Sequence, residues 1–287
     1  MARMDRGVIS DIELRTPAGR VVVGVFVVIL VLFGAAFIFP FLFAFTAGLK
    51  TSTEIFKPGL HLWPENPIWG NYLEAWNRFN MVNMFKNTAI VAVGGAIGQL
   101  LVSSLAAFSL SRLKPAGKRV IEAILLITLA IPGVAYLVPR YIILANLPII
   151  HVSLINQFAG LWIPYAANAM TILILKNSFD QIPKDLFEAA AVDGASDLRL
   201  FTSFTLPLST PILIILGLLG FIGFWGDYLL PLLILRDPGL QTISVRLISL
   251  TRIFGANLHL AASFIAMIPP AIAAIFLQRY IRGGISF

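Results

Sequence analysis

Apolar residues run in long stretches along this chain, and polar residues gather into a few short clusters. A helix that crosses a hydrocarbon core needs ~20 mostly apolar residues. The pattern supplies such stretches at about 21–47, 87–110, 120–138, 157–175, 207–230 and 261–278. The expected fold class is therefore all-α: a polytopic membrane bundle of six transmembrane helices forming one domain over residues 1–287. Pro40 falls inside the first stretch, Pro132 and Pro139 break the third, and Pro164 interrupts the fourth. Bundles tolerate such prolines because neighbouring groups re-satisfy the freed carbonyls.

The segments between the stretches carry their own patterns. Lys50 to Lys86 is polar and holds Trp63, Pro64, Pro67, Trp69 and Trp76; tryptophan favours the membrane–water boundary. Asn71 and Glu74 have the spacing of a capping pair. Tyr72, Leu73, Trp76 and Phe79 share a helical face, which predicts a short helix lying on the membrane surface. Residues 140–156 read as a short outer connection, either re-entrant or surface-lying, and 232–260 as a second outer segment. Gly94 and Gly98 form a GxxxG pair suited to close packing within the bundle. Gly217, Gly220, Gly223 and Gly226 recur every third residue and so wind round their helix. They predict close contact with more than one neighbour, or a bendable segment.

One polar stretch, 177–206, interrupts the apolar pattern with two short helices. Pro183 suits a first helical position and Gly194 the residue just past a helix end. Good helix formers lie between them, among them Leu186, Glu188, Ala189, Ala190 and Ala191. Ser196 can cap a second helix, with Asp197 favouring its dipole. That helix should stop near Leu206, because proline disfavours helix at the residue before it, and Pro207 should open the fifth span. Leu186, Phe187 and Ala190 share one face of the first short helix. That face is covered either by the chain's own helix ends or by a docked partner.

Composition narrows the class. The chain is 58% hydrophobic and only 12% charged, against about 25% charged in soluble domains. It has no cysteine, which excludes disulfides, thiolate metal sites and a thiol nucleophile. The formal charge of +7 points to loops beside anionic lipid rather than to nucleic acid. The uncharged run Val21–Leu49 exceeds the ~7–15 residues of a signal h-region and reads as a retained span. Arg3, Arg6, Arg15, Arg20, Arg112, Lys114, Lys118, Arg119, Arg279 and Arg282 all fall on one side of an even number of spans. The positive-inside rule then predicts both termini, and stretch 177–206, in the cytoplasm. Within that stretch Asp180, Asp185, Glu188, Asp193 and Asp197 outnumber the bases, which suits contact with a basic protein surface rather than with lipid.

Glu188-Ala189-Ala190, then Gly194, then Leu206-Pro207 resemble the EAA-x3-G-x9-I-x-L-P loop of membrane subunits of bacterial ABC importers. Phe204 stands where that family has Ile, keeping the position apolar. Asp193-Gly194-Ala195 is similar to the DGA form of the carbohydrate, MalG-type branch. The likeness covers nearly the whole chain: LAAFSLSRLKPAGKR (105–119), IPGVAYLVPRYIILANL (131–147) and the closing LQRYIRGGISF (277–287) also resemble family elements. FWGDYLLPL (224–232) resembles its W-N-[ED]-[FY]-L element, with Gly226 replacing Asn.

This resemblance implies a sugar-importing permease subunit in the bacterial inner membrane. Its implied partners are a second, homologous permease, two ATP-binding cassette subunits that hold ATP and Mg, an extracytoplasmic solute-binding protein, and lipid. Leu186, Phe187, Glu188, Ala189, Ala190, Asp193, Gly194, Leu206 and Pro207 would form the coupling element.

Catalytic chemistry is not legible. His61, His151 and His259 are far apart and lack metal-ligand spacing, so they read as solvated or interfacial. No GxxxxGK[ST] occurs, so any nucleotide hydrolysis belongs to another chain, and this chain itself carries no cofactor. Asp227 is an acid near an apolar helix. It is either a wetted boundary residue or a group lining a cavity that meets solute hydroxyls. Asn168, Thr171 and Trp225 are further path candidates, Trp225 either stacking on a sugar ring or packing. An ion-coupled secondary transporter is the alternative class, but it calls for intramembrane charge pairs and repeated halves, and neither is visible.

Overall fold

The computed structural model describes residues 16–59 and 61–282. Arg3, Arg6 and Arg15 lie outside the described residues, as does the end of the closing element. The described chain is helical, and its helices are long and apolar enough for three membrane spans, or six when each bent helix pair counts as one.

Helix α1 (Pro17–Gly48) keeps Pro40 inside it, and Thr16 caps its start by accepting from the Gly19 N–H at 3.0 Å. Most of α1 is exposed and apolar, the signature of a lipid-facing rod; only its end is buried, at Ala44, Thr46, Ala47 and Gly48. There the expected surface helix, α2 (Gly70–Arg78), meets it through Asn71 and Tyr72. Asn71 does not cap α2. It is buried, and its side-chain amide donates to the Gly48 and Lys50 carbonyls at 2.9 Å each, while Glu74 pairs with Arg78 at 2.9 Å. Asn71 is the second residue of α2, inside the helix rather than at its cap, Trp69, and its amide N–H groups satisfy the last carbonyl of α1 and that of Lys50 beyond it. Tyr72 adds a 2.7 Å bond to the Phe45 carbonyl, and burial pushes its phenol up to about 12, so it remains a neutral donor. Leu73, by contrast, is exposed.

Helix α3 (Met81–Phe108), prolonged by a π turn over Ser109–Leu113, is the central rod. It starts before residue 87 because Met81 and Met84 are themselves buried. Helices α6 (Ala159–Ala166), α7 (Ala169–Asp180) and α10 (Thr210–Gly226) all pack along it. Gly94 of the GxxxG pair lies under the Trp162 ring, where an added Cβ would come within 2.6 Å of it, whereas Gly98 faces open space.

The third and fourth spans are broken rods. Helix α4 (Lys118–Ala130) ends before Pro132, and the chain turns by 102° into a leg that contains α5 (Leu137–Ala145). Pro139 does not break α5: it lies in the first turn, where a missing N–H costs nothing. The α6–α7 pair bends by 48° at Ala167–Asn168, and α7 runs past residue 175 to Asp180.

The outer segments fold back into the protein. The chain after α5 returns through Leu154, whose N–H bonds the Leu144 carbonyl at 2.8 Å. Asn156 Oδ1 accepts from the Arg236 and Asp237 N–H groups at 2.7 and 2.9 Å. Beyond α10, α11 (Leu229–Ile234) and α12 (Ile243–Leu250) bury Leu230, Ile234, Ile243, Val245, Leu247 and Leu250. The segment 232–260 thus gives its apolar residues to the core and keeps an exposed outer side, and it is held to α3 where Asn83 and Asn87 each donate to the Gly239 carbonyl at 2.8 Å. Helix α13 (Ala256–Arg282) completes the bundle against α1, α2 and α10.

Candidate coupling element and solute cavity

The polar stretch folds as two helices that grip the bundle. Pro183 is the residue before α8 (Lys184–Val192), not its first residue. At its far end the Ala195 and Gly194 N–H groups bond the Ala190 and Ala191 carbonyls at 2.9 and 3.0 Å, with Gly194 at φ +78°. That is a Schellman closure, and it requires a left-handed residue at the position Gly194 fills. Ser196 then caps α9 (Asp197–Leu208) by accepting from the Arg199 N–H at 3.4 Å. Helix α9 does not stop before Pro207. A π turn over Phe201–Thr205 widens the winding just upstream, relieving the clash a proline ring makes with the preceding turn. The break comes at Ser209, where α9 and α10 meet at 80°. The fifth membrane helix therefore opens at Thr210, not at Pro207.

The face shared by Leu186, Phe187 and Ala190 is split. Ala190 is 7% exposed and Phe187 half-buried, both within a core made with Phe108, Leu175, Phe179 and Phe201. Leu186 points outward and is exposed, as are Glu188, Ala189, Asp193 and, further along, Val192 and Leu198. Phe187 and Ala190 seat α8 on its own bundle, Leu186, Ala189, Val192 and Leu198 leave an apolar surface open, and Glu188 stands at the rim of a groove shared with Arg112, Lys114 and Lys118.

Arg112, from the π turn that ends α3, is the clasp. Its Nη2 donates to the Phe179 carbonyl and, at 2.8 Å, to the Ile182 carbonyl. Its guanidinium lies 4.0 Å from the centroid of the Phe187 ring. One side chain thus ties α3, the end of α7 and α8 together. Around it Ser111 Oγ donates to Asp180 at 2.6 Å, Lys176 pairs with Asp180 at 2.9 Å, and Glu122 lies 3.4 and 3.6 Å from Lys176 and Lys118. In the sequence Arg112 reads as one of four basic residues in a turn with Lys114, Lys118 and Arg119, and nothing there signals this role.

A cavity of about 530 Å³ opens higher in the bundle, lined by Gln99, Tyr165, Asn168, Thr171, Phe224 and Asp227 among others. Three of the four path candidates therefore meet at one place. Asn168 caps α7, its Oδ1 accepting from the Thr171 N–H at 3.0 Å and from the Thr171 hydroxyl at 3.1 Å. Gln99 donates to Thr171 Oγ1 at 2.7 Å, and the Tyr165 hydroxyl lies 3.4 Å from Asp227 Oδ2. Trp225 is not part of this wall. It is 5% exposed, donates to the Ala266 carbonyl at 3.1 Å and packs on Phe85 and Phe221. The glycine stripe of α10 divides: Gly217 and Gly220 meet Leu100 and Ala96 of α3, while Gly223 and Gly226 face open space. Gln99 and Tyr165 escaped the sequence reading, although a lone amide inside an apolar helix is itself a signal.

Bent helices around a polar cavity, with a short helical elbow at one end, define a multi-pass membrane permease. The same fold is found in a solved bacterial ABC transporter involved in the import of the acidic polysaccharide alginate, with a TM-score of 0.81 at 23% identity over 92% of this chain and 98% of that one. A Pyrococcus horikoshii protein described as a probable ABC transporter permease is 33% identical over 88% of this chain and 93% of its own length. The sn-glycerol-3-phosphate transport system permease UgpE of Rhizobium meliloti is 29% identical over 86% of this chain and 90% of its own. Residues 99–286 match the family described as binding-protein-dependent transport system inner membrane components. The chain belongs to that family, and is a transport component rather than an enzyme.

Proposed function

We propose that this chain forms one half of the path by which an ATP-driven importer brings a sugar or related polyhydroxyl solute into the cell. A second, homologous permease supplies the other half. An external binding protein delivers the solute, and two cytoplasmic ATPase subunits bind ATP and Mg. Both termini and α8 face the cytoplasm, where Leu186, Glu188 and Asp193 engage one ATPase.

One observation carries this reading. The elbow formed by α8 and α9 sits between α7 and α10, and both helices also line the cavity. A push on the elbow therefore reaches the cavity wall through two rigid rods. Asn168 and Asp180, at opposite ends of α7, are separated by about 18 Å at 1.5 Å per residue.

The test is uptake into proteoliposomes that hold this chain with its partner permease and ATPase. Uptake of labelled solute should require internal ATP and the binding protein. Uptake driven by an ion gradient alone would overturn the proposal.

A further inference from the structure

A smaller pocket, of about 230 Å³, lies at the far end of α1. Phe43 and Ala47 of α1, Lys50 just beyond it, and Glu54 of the short helical turn Ser52–Ile55 form its inner wall, and Lys57 and His61 stand exposed at its mouth. Two charges are sunk in that wall. Lys50 is 2% exposed, and among the described residues its ammonium has one partner, the His61 carbonyl. Glu54 is 7% exposed, and its Oε1 accepts from the Glu65 N–H at 2.8 Å. No ion pair joins Lys50 to Glu54 among the described residues, and Lys57 pairs instead with Glu65 at 2.5 Å. An ammonium has three donors and a carboxylate accepts at both oxygens, so both groups keep capacity to spare. Burying such charges is costly unless something pairs with them.

Depth in the membrane sets the class of ligand. The 29 uncharged residues Val21–Leu49 extend about 43 Å at ~1.5 Å per residue, which matches the ~40–45 Å of a bilayer with its headgroups. With Arg20 in one headgroup layer, Lys50 falls in the other. Toward the bilayer centre, Phe39 stacks on Phe43 with ring centroids 6.1 Å apart, and Phe37, Ile38 and Phe41 are exposed. An apolar track for acyl chains therefore leads up α1 to the pocket. The volume is below the ~300–1,000 Å³ of sites for drug-sized ligands, a headgroup's scale. Buried charges of both signs that do not touch each other call for a ligand that carries both. A phosphoethanolamine headgroup does so: its phosphate accepts from Lys50, and its ammonium donates to Glu54. A phosphatidylglycerol headgroup brings no cation to Glu54, and the trimethylammonium of phosphatidylcholine has no N–H to donate. We infer that this pocket binds the headgroup of phosphatidylethanolamine, with Lys50 holding its phosphate and Glu54 its ammonium. The inference needs α1 to span the membrane and is independent of what the transporter carries or what drives it.

The chain has no cysteine, and Ile55 lines the pocket, so Ile55→Cys puts a single thiol on its wall. The full-length chain, purified in detergent with the subunits that accompany it and stripped of lipid, would be treated with a small methanethiosulfonate reagent, and labelling read as the mass shift of this chain. The additions compared are phosphatidylethanolamine, phosphatidylglycerol, phosphatidylcholine and inorganic phosphate. Phosphatidylethanolamine should slow labelling roughly tenfold, and each of the others by no more than about twofold. In the same background Lys50→Met, which keeps the length of the side chain without its charge, should abolish the protection. Glu54→Gln should erase the difference between phosphatidylethanolamine and phosphatidylglycerol. Equal protection by those two lipids with Glu54 in place, protection that survives Lys50→Met, or a thiol that reacts at one rate under every condition overturns the inference. Slowing by inorganic phosphate as large as that by phosphatidylethanolamine makes this a small-anion site and overturns the lipid assignment. If Lys50→Met does not fold, the Glu54→Gln comparison decides alone.

Discussion

At the residue scale the weight falls on Arg112 and Gly194. Arg112 donates to the Phe179 carbonyl, which also accepts from the Ile182 N–H, and to the Ile182 carbonyl just past α7, and it stacks on Phe187. Lysine keeps the charge but loses the planar fork and most of the stacking. Arg112→Lys should therefore loosen α8 without unfolding the bundle, and Arg112→Ala should remove the charged donor from both carbonyls, leaving Phe179 only its backbone N–H bonds. A hydrogen bond to a charged group is worth about 1.5–3 kcal/mol. Both variants should retain ATPase activity in the assembled complex while solute transported per ATP falls, Ala more than Lys; an unchanged ratio for Arg112→Ala would remove the clasp from the mechanism. Gly194 bears a different load. Its φ of +78° costs a residue with a side chain about 1–2 kcal/mol, yet a Cβ there meets nothing within 4 Å. Gly194→Ala should thus lower thermal stability modestly by backbone strain alone. Gly194→Asn, better tolerated in that region, should recover part of the loss in a melting measurement.

At the scale of elements, α8 has two faces with different duties. Phe187 and Ala190 face the bundle, Leu186 faces away, and Glu188 is exposed at the rim of the groove that α8 forms with Arg112, Lys114 and Lys118. Glu188→Lys should leave the melting temperature of the isolated permease unchanged but weaken copurification of the ATPase and abolish uptake. Losing one partner of an ion pair buried on docking costs about 3–5 kcal/mol. Phe187→Ala should do the reverse in part, lowering permease stability by about 1–2 kcal/mol for a half-buried ring. Equal ATPase recovery with Glu188→Lys and with wild type would refute the division. Much of this element could be read in advance, because Gly194, Ser196 and Asp197 act through local backbone chemistry. Pro207 misled because its remedy, the π turn at Phe201–Thr205, has no composition of its own. The same holds beyond α8. Hydropathy located α1, α3 and α13, but the apolar run at Ile243–Leu250 is too short to span a bilayer, so nothing local indicated that α12 folds back into the core. Asn168 and Thr171 were picked out as polar residues in an apolar span; that Trp225 turns away from them depends on Ala266, forty-one residues along the chain.

At the scale of the whole molecule the proposal requires a sidedness, with α8 inside and the loop after α5 outside. Two exposed residues report it. Val192, at the end of α8, is 88% exposed, and Ile149, in the loop after α5, is 93% exposed. Ile149 also holds φ at +81°, which strains a β-branched side chain, so Ile149→Cys should be tolerated or mildly stabilising. Because the native chain is free of cysteine, each variant carries one thiol and no background. In intact cells a membrane-impermeant maleimide should label Ile149→Cys and leave Val192→Cys untouched. In inside-out vesicles the pattern should invert. There Val192→Cys should label readily when the permease is made without its ATPase, and slowly when the ATPase is present, since docking covers the outer face of α8. Labelling of Val192→Cys from outside the cell would reverse the orientation and detach the elbow from any cytoplasmic motor. Correct sidedness without protection by the ATPase would leave the elbow inside but unengaged, and the path from α8 through α7 and α10 to the cavity would then carry no force.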